Sequence, residues 1–282
     1  MMERTGQALV GCLLLWVGLA GLAGAKSAAA PPTRFVEVER FATSAATQGV
    51  AVDAEHFYAI GTRSIEKYAR ANGGLVATWN AGDDPRVIHL NGGIVVGDTL
   101  FCAHSNYPGI PMRSSILRFD AASLRLRDVR ELPLAPGSLT WLDWRGGSWW
   151  LAFAHYEGRG GVPDKGPGAS RVVQHDAGWN PGRALAFPGE VVERFGAHSS
   201  SGGGFGPDGL LYVTGHDAAE LHALRVPAHG DTLEWVATVP APIAGQGIAW
   251  DRAPPASLWG IVRGHRQVRR LDAADDGFMS SK

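Results

Sequence analysis

Charge of one sign is what this chain lacks. Lys and Arg number 26 against 27 Asp and Glu, a formal net charge of −1 at pH 7. Charged residues of both signs make up only 19% of the chain. There is no electrostatic case for nucleic acid as a partner, or for an acidic membrane surface. Cysteine is scarce as well, with Cys12 and Cys102 alone. Loss of Cys12 with a cleaved leader would leave one thiol, which cannot staple a fold, so packing must hold the protein together. Cys102, between Phe101 and Ala103 in an apolar strand, reads as a small buried hydrophobe. Neither HExxH nor CxxC occurs, so no local motif signals zinc. Ser199-Ser200-Ser201 beside His198 lacks the strand–turn–helix elbow of a serine nucleophile.

Ala8 to Ala23 is a long apolar run. Arg4 before it and Ala23-Gly24-Ala25 at its end make Met1 to Ala25 read as a secretory leader. The run is close to the shortest spanning length, so an uncleaved anchor is the rival reading. Leu9-Val10-Gly11-Cys12 is no lipoprotein signal, because most of the run follows the cysteine. The expected organisation is a leader over 1–25, a linker over 26–33, one domain over 34–275 and a tail over 276–282. The expected location is periplasmic or secreted, with no stable membrane insertion after cleavage.

Glycine and tryptophan are plentiful, at 38 and 10. They suit tight turns between aromatic-rich strands. One phrase recurs five times: a glycine-rich step, an apolar strand, a turn and a second apolar strand. It starts at Thr47 (TQGVAVD), Leu90 (LNGGIVV), Pro136 (PGSLTWLD), Ser201 (SGGGFGPDG) and Gly245 (GQGIAWD). Spacings of roughly 40–50 residues, with one longer gap, mark blades of a β-propeller. The first four repeats each supply four strand candidates, and the last supplies three. Phe35 to Phe41 alternates apolar and charged residues and can be the missing strand. Pairing it onto the last repeat closes a five-bladed ring and removes two open sheet edges. A sixth blade would have to hide in the long gap, but Glu157 to Ser170 is rich in Gly and Pro and reads as loop.

The repeat places functional candidates on one rim. The loops leaving each second strand align as Gly61-Thr62-Arg63, His104-Ser105-Asn106, His155-Tyr156-Glu157, Gly215-His216-Asp217 and Arg263-Gly264-His265. The loops entering the innermost strands add Gln48, His89 with Asn91, Ser138, His198 with Ser199 and Ser200, and Gln246. Polar groups at these entry points face the channel and need water, an ion or a ligand. His104, His155 and His216 are the candidate acids and bases, because imidazole titrates near neutral pH. Gln48, Arg63, Asn91, Ser105, Asn106, Tyr156, Asp217, Gln246 and Arg263 are the candidate ligand contacts. A competing account gives the amides to ring closure and the histidines to strand ends. A divalent metal stays open, held by His104, His155 and His216 with His198. Calcium would need more carboxylates than Asp217 and Glu157. The loop after His155 has the length and composition of a lid.

FCAHSNYP (Phe101 on), PGSLTW (Pro136 on), FAHYEG (Phe153 on) and PDGLLYVTGHD (Pro207 on) resemble a bacterial family of secreted propellers labelled cycloisomerases. The resemblance runs over about residues 35–272 and implies isomerase-type chemistry. Thr47-Gln48-Gly49 is similar to the first-blade opening of glutamine cyclotransferases, which are secreted five-bladed propellers. That family has a glutamate before the glycine entering the second blade. Asn91 stands there, so the acid for glutaminyl cyclisation is missing. PDGLLYVTG also resembles NHL-type, gluconolactonase-like and YVTN propellers, a phrase general to propeller strands.

Two function classes follow. One is an isomerase, cyclase or lactone hydrolase acting on a small polar or carboxylated metabolite at the channel mouth. The other is a propeller that binds a ligand or protein without chemistry. Fold alone does not choose between them.

Overall fold

The computed structural model describes residues 30–275. The leader and the tail read from the sequence lie outside the described residues. Twenty strands form five four-stranded antiparallel sheets, the blades of a propeller. The first strand, β1 (Arg34–Ala42), belongs to the last blade. Blade one is β2 (Gly49–Val52), β3 (His56–Ile60), β4 (Ser64–Ala69) and β5 (Leu75–Asn80). Blade two is β6 (His89–Val96), β7 (Thr99–Ser105), β8 (Ser114–Asp120) and β9 (Leu126–Glu131). Blade three is β10 (Ser138–Arg145), β11 (Ser148–Ala154), β12 (Arg171–His175) and β13 (Pro181–Ala186). Blade four is β14 (Gly202–Phe205), β15 (Leu211–Thr214), β16 (Glu220–Arg225) and β17 (Glu234–Pro240). Blade five is β18 (Ala249–Trp250), β19 (Leu258–Val262) and β20 (Gln267–Ala274), completed by β1.

The closure is the one expected. β1 pairs with β20 from Arg34↔Ala274 to Ala42↔Gln267, with a bulge between Glu37 and Glu39. A single sheet thus holds both ends of the domain, and the ring has no free seam.

The core is partitioned by seams rather than gathered at one centre. Five apolar clusters each lie between two adjacent blades. Ile60 and Ile65 meet Leu90 and Phe119 between blades one and two. Ala103 and Ile116 meet Leu139 and Leu151 in the next seam. Trp141 and Leu185 meet Leu211 and Leu224 in the third. Tyr212 and Leu221 meet Trp250 and Leu258 in the fourth. Phe57 and Val50 meet Trp259 and Ile261 in the last. Each blade is therefore apolar on both faces, which is why its strands lack a simple in–out alternation. Cys102 is fully buried in the first seam, where burial pushes its thiol up. It is the inert hydrophobe its neighbours imply.

The recurring glycine has a steric cause. A methyl on Gly49 would lie 3.1 Å from the Gly92 Cα, and one on Gly247 would lie 2.7 Å from the Gly49 Cα. Inner strands of three blades touch through bare backbone at the axis. The channel is pinched there, so the space above the glycines is a cup rather than a pore.

One element was not expected. α1 (Gly189–Phe195) lies between blades three and four and buries Val191 and Phe195 in their seam.

Candidate functional site

Immediately above the pinch, each blade contributes one polar side chain to the floor of the cup: Gln48, Asn91, Thr140, Ser201 and Gln246. Four of these directly precede the recurring glycine. The cup has a volume of ≈ 570 Å³ and is also lined by Thr62, Ile88, His89, Tyr107, Pro108, Tyr156, Arg159, His198, His216 and Arg263. That size suits a small-molecule ligand. Its lining holds two arginines and three histidines but no carboxylate.

The floor amides are oriented by the protein. Gln48 Nε2 donates to Thr62 Oγ1 at 3.2 Å, Asn91 Nδ2 to the Leu139 carbonyl at 2.9 Å, and Gln246 Nε2 to the His216 carbonyl at 3.0 Å. Ring closure and ligand contact are therefore not rival roles. The Asn91 and Gln246 amide nitrogens tie adjacent blades together, and that of Gln48 bonds within blade one, while the same side chains line the cup. Gln246 holds this position at φ 68°, a left-handed conformation that costs a non-glycine residue.

His89 starts β6 and lies between the two free cations of the cup. Burial first, then the charges of Arg263 and Arg159, push its imidazole down to about 4. The Asn91 side chain beside it opposes that shift. The neutral ring keeps one lone-pair nitrogen at neutral pH. Beside it, the Tyr107 ring stands edge-on to His89 at 5.2 Å and to Tyr156 at 5.1 Å. Burial pushes the Tyr156 phenol well above its ordinary value, so it stays a proton donor.

His216 forms the opposite wall. Its Nδ1 lies 2.8 Å from Asp217 Oδ2, and its Nε2 lies 3.3 Å from the Arg263 guanidinium. An arginine can only donate, so Nε2 is the lone-pair nitrogen and Nδ1 carries the proton. Asp217 lies close to Nδ1 but is not placed to accept its N–H in a hydrogen bond. His198 stacks on His216 with centroids 4.3 Å apart and planes 21° from parallel.

Two of the three histidines expected to share this cavity do not reach it. His104 Nε2 accepts the Ile88 N–H at 2.8 Å, and its Nδ1 lies 2.7 Å from Ser115 Oγ. The ring is buried and closes the inter-blade loop from behind; burial pushes it down to about 4. His155 points its Nε2 at the Pro136 carbonyl at 2.6 Å, and burial also pushes it down. Both rings stand at the ends of the second strands of their blades and bond the framework, as the competing account held. The expectation of a common cavity is corrected to His216 alone, joined by His89 and His198.

Of the expected ligand contacts, Gln48, Asn91, Tyr156, Gln246 and Arg263 line the cup. Ser105 is fully buried, and Asn106 closes its own loop through the Pro111 carbonyl and the Arg113 N–H. Neither lines the cup, because both turn away from the axis into the hairpin. Arg63 donates to the carbonyls of Val87, Gly82 and Asp84 and lines an adjacent groove with Asp217.

Arg159, Tyr107 and Thr140 were not singled out in the sequence. Thr140, not Ser138, is the blade-three floor residue: it precedes Trp141, which packs against Gly92 where the other blades place a glycine. Arg159 comes from the Gly/Pro-rich loop after Tyr156, where only its rim position was a signal.

The metal set anticipated from His104, His155 and His216 is not assembled. His198, His216 and Asp217 do bring ligand atoms within 4.8 Å of one another.

No family model and no curated protein matches the chain. Solved structures match its fold. The glutaminyl cyclase of Myxococcus xanthus aligns with a TM-score of 0.59 and 11% identity, over 86% of this chain and 97% of that one. The PQQ-bound aldose sugar dehydrogenase of Streptomyces coelicolor aligns with a TM-score of 0.50 and 14% identity, over 88% and 85%. The first likeness agrees with the Thr47-Gln48-Gly49 resemblance, and at such identities what is shared is the propeller. No helix among the described residues is long and apolar enough to cross a membrane.

Proposed function

We propose that the cup is the active site of an enzyme that isomerises, cyclises or opens a lactone of a small carboxylated metabolite. The observation that supports this most is the unbalanced lining: two arginines and three histidines with no carboxylate. An anion is the missing complement, and guanidinium–carboxylate hydrogen bonds are the strong kind. His89 acts as the base, since burial and the two arginines keep it neutral. His216 has Asp217 beside its Nδ1, and its Nε2 exchanges a proton with the ligand once the Arg263 guanidinium turns from it to the ligand's anion. Two proton-handling groups in contrasting electrostatic settings suit a reaction that removes one proton and delivers another. The Ala8 to Ala23 run supports a periplasmic or secreted location for this chemistry.

The test is a screen of lactones and cyclic or unsaturated carboxylic acids followed by NMR. His89→Gln and His216→Gln should each lower kcat by about 10²–10⁴ while leaving ligand affinity within about tenfold. The acid limb of kcat/KM should fall near pH 4, reporting His89 in the free enzyme. The limb of kcat should lie higher, because a bound carboxylate screens the arginine charges. Turnover unaffected by both changes would overturn the assignment. Carboxylate binding with no turnover of any compound would establish the binding propeller instead.

A further inference from the structure

Beside the cup lies a second depression of ≈ 810 Å³, over the seam between blades one and five. Gln48, Thr62 and Arg263 line both spaces, so they form a sill rather than a wall. Three arginines border the groove: Arg63, Arg263 and Arg266. Asp217 is the single carboxylate there, and it already faces His216. Arg63 is fixed by its three carbonyl acceptors, and Arg266 donates to the Ser44 carbonyl at 2.7 Å. Carbonyl acceptors position a guanidinium without cancelling its charge. Thr47 and Ser64 add hydroxyls, and Ala45 and Ala244 are the only apolar side chains in the lining. Such a surface suits a hydrated, negatively charged group and offers nothing to an acyl chain.

The proton-handling pair sits at the junction. His216 lines the cup and its partner Asp217 lines the groove. We infer that the substrate is an elongated, hydroxylated dianion: one carboxylate is held in the cup by Arg159, the other in the groove by Arg63 and Arg266, with the reacting atoms over the sill beside His216. This rests on the proposed function of the cup and adds the second anion position and the length of the ligand.

Calorimetry with gluconate and glucarate tests the charge, since the two share a hydroxylated chain and differ in one terminal carboxylate. Succinate, adipate and suberate test the length. Wild-type protein should bind glucarate about tenfold or more tighter than gluconate, glucarate tighter than adipate, and suberate tighter than succinate. Arg266→Gln and Ser64→Asp should each erase the advantage of glucarate and leave gluconate unchanged. Ser64→Asp adds a negative charge without removing any contact to the backbone, so it guards against a folding defect at Arg266. Equal affinity for gluconate and glucarate, or an advantage that survives both changes, overturns the groove. Arg159→Ala reports on the cup separately and should weaken gluconate and glucarate alike. Unchanged gluconate affinity in that variant, with the groove dependence intact, would remove the cup reading and leave the groove standing.

Discussion

The two ends of the propeller axis treat charge in opposite ways. At the mouth, Arg159 and Arg263 reach an open cup that contains no carboxylate. At the far end the inner strands converge on Asp143, whose side chain is 3% exposed and ion-paired with Arg252. Asp143 also accepts the Phe205 N–H at 2.7 Å and the Trp144 N–H at 2.8 Å. The space beside that pair shrinks to ≈ 20 Å³, room for about one water. Both ends are built from the same repeat. The difference shows where the fold is held together and where it is left incomplete for something else to complete. Cations with partners close the ring at one end, and cations without carboxylate partners wait at the other.

The sharpest break of this contrast removes a cation from the closed end. Burial raises the Asp143 carboxyl, and the Arg252 charge is the largest influence opposing it. Arg252→Ala strands a buried carboxylate, which typically costs about 3–5 kcal/mol. A value near the lower limit is expected, because two backbone amides still bond Asp143. The loss should shrink on acidification. A carboxyl raised above its unfolded value binds a proton more readily in the folded state, so stability falls as pH rises and returns as pH falls. Urea denaturation of the variant at pH 7 and pH 5 checks both sign and size. A variant as stable as wild type at pH 7 would mean that Asp143 and its amides do not need the arginine.

The second break compares histidines that look alike in the sequence. His104 lies at the end of β7 and His216 follows β15, one place further along the aligned triplet; His104 is buried in the framework and His216 faces the cup. Neutral His104 accepts the Ile88 N–H, and protonation would turn that acceptor into a donor. Its value of about 4 lies below the ordinary 6.5. The unfolded chain therefore binds the extra proton first, and stability falls as pH drops from about 6.5 toward 4. The full shift corresponds to about 3 kcal/mol. His104→Gln should make the pH dependence of the denaturation midpoint in that window less steep, with His89 and His155 still contributing, and His216→Gln should leave the slope as in the wild type. The reverse pattern would exchange their roles.

This pair marks where the sequence stopped being legible. The repeat placed both rings on one rim, but not which way they turn. Ring direction depends on partners such as Ser115 and the Ile88 amide, whose proximity is created by folding. The floor of the cup was easier to read. Gln48, Asn91 and Gln246 each precede a glycine that the axis requires, so steric necessity left a mark in the sequence. Thr140 was missed because Trp141 stands where the other blades carry the glycine that marks the floor residue. Closure by β1 was legible because the last repeat lacked a strand. α1 was not, since seven residues are too few to display a helical period.

The smallest expected effect on stability belongs to Arg263→Ala, and its smallness is the point. Arg263 is exposed, has no carboxylate partner among the described residues, and its side chain lies 3.3 Å from His216 Nε2. Substitutions at such positions usually change stability by no more than about 0.5 kcal/mol. Loss of this arginine also relieves His89 of one of the two positive charges that depress it. The His89 imidazole should therefore titrate above pH 4 in the variant, a change visible in its proton NMR shift. Carboxylate affinity should fall at the same time, because the sill shared by cup and groove loses its only charged group. An arginine replacement that leaves the denaturation midpoint in place while shifting a neighbouring histidine and weakening anions is what an uncompensated ligand cation produces. If Arg263→Ala instead destabilised the protein as Arg252→Ala is expected to do, the mouth would be one more structural closure, and the contrast between the two ends would collapse.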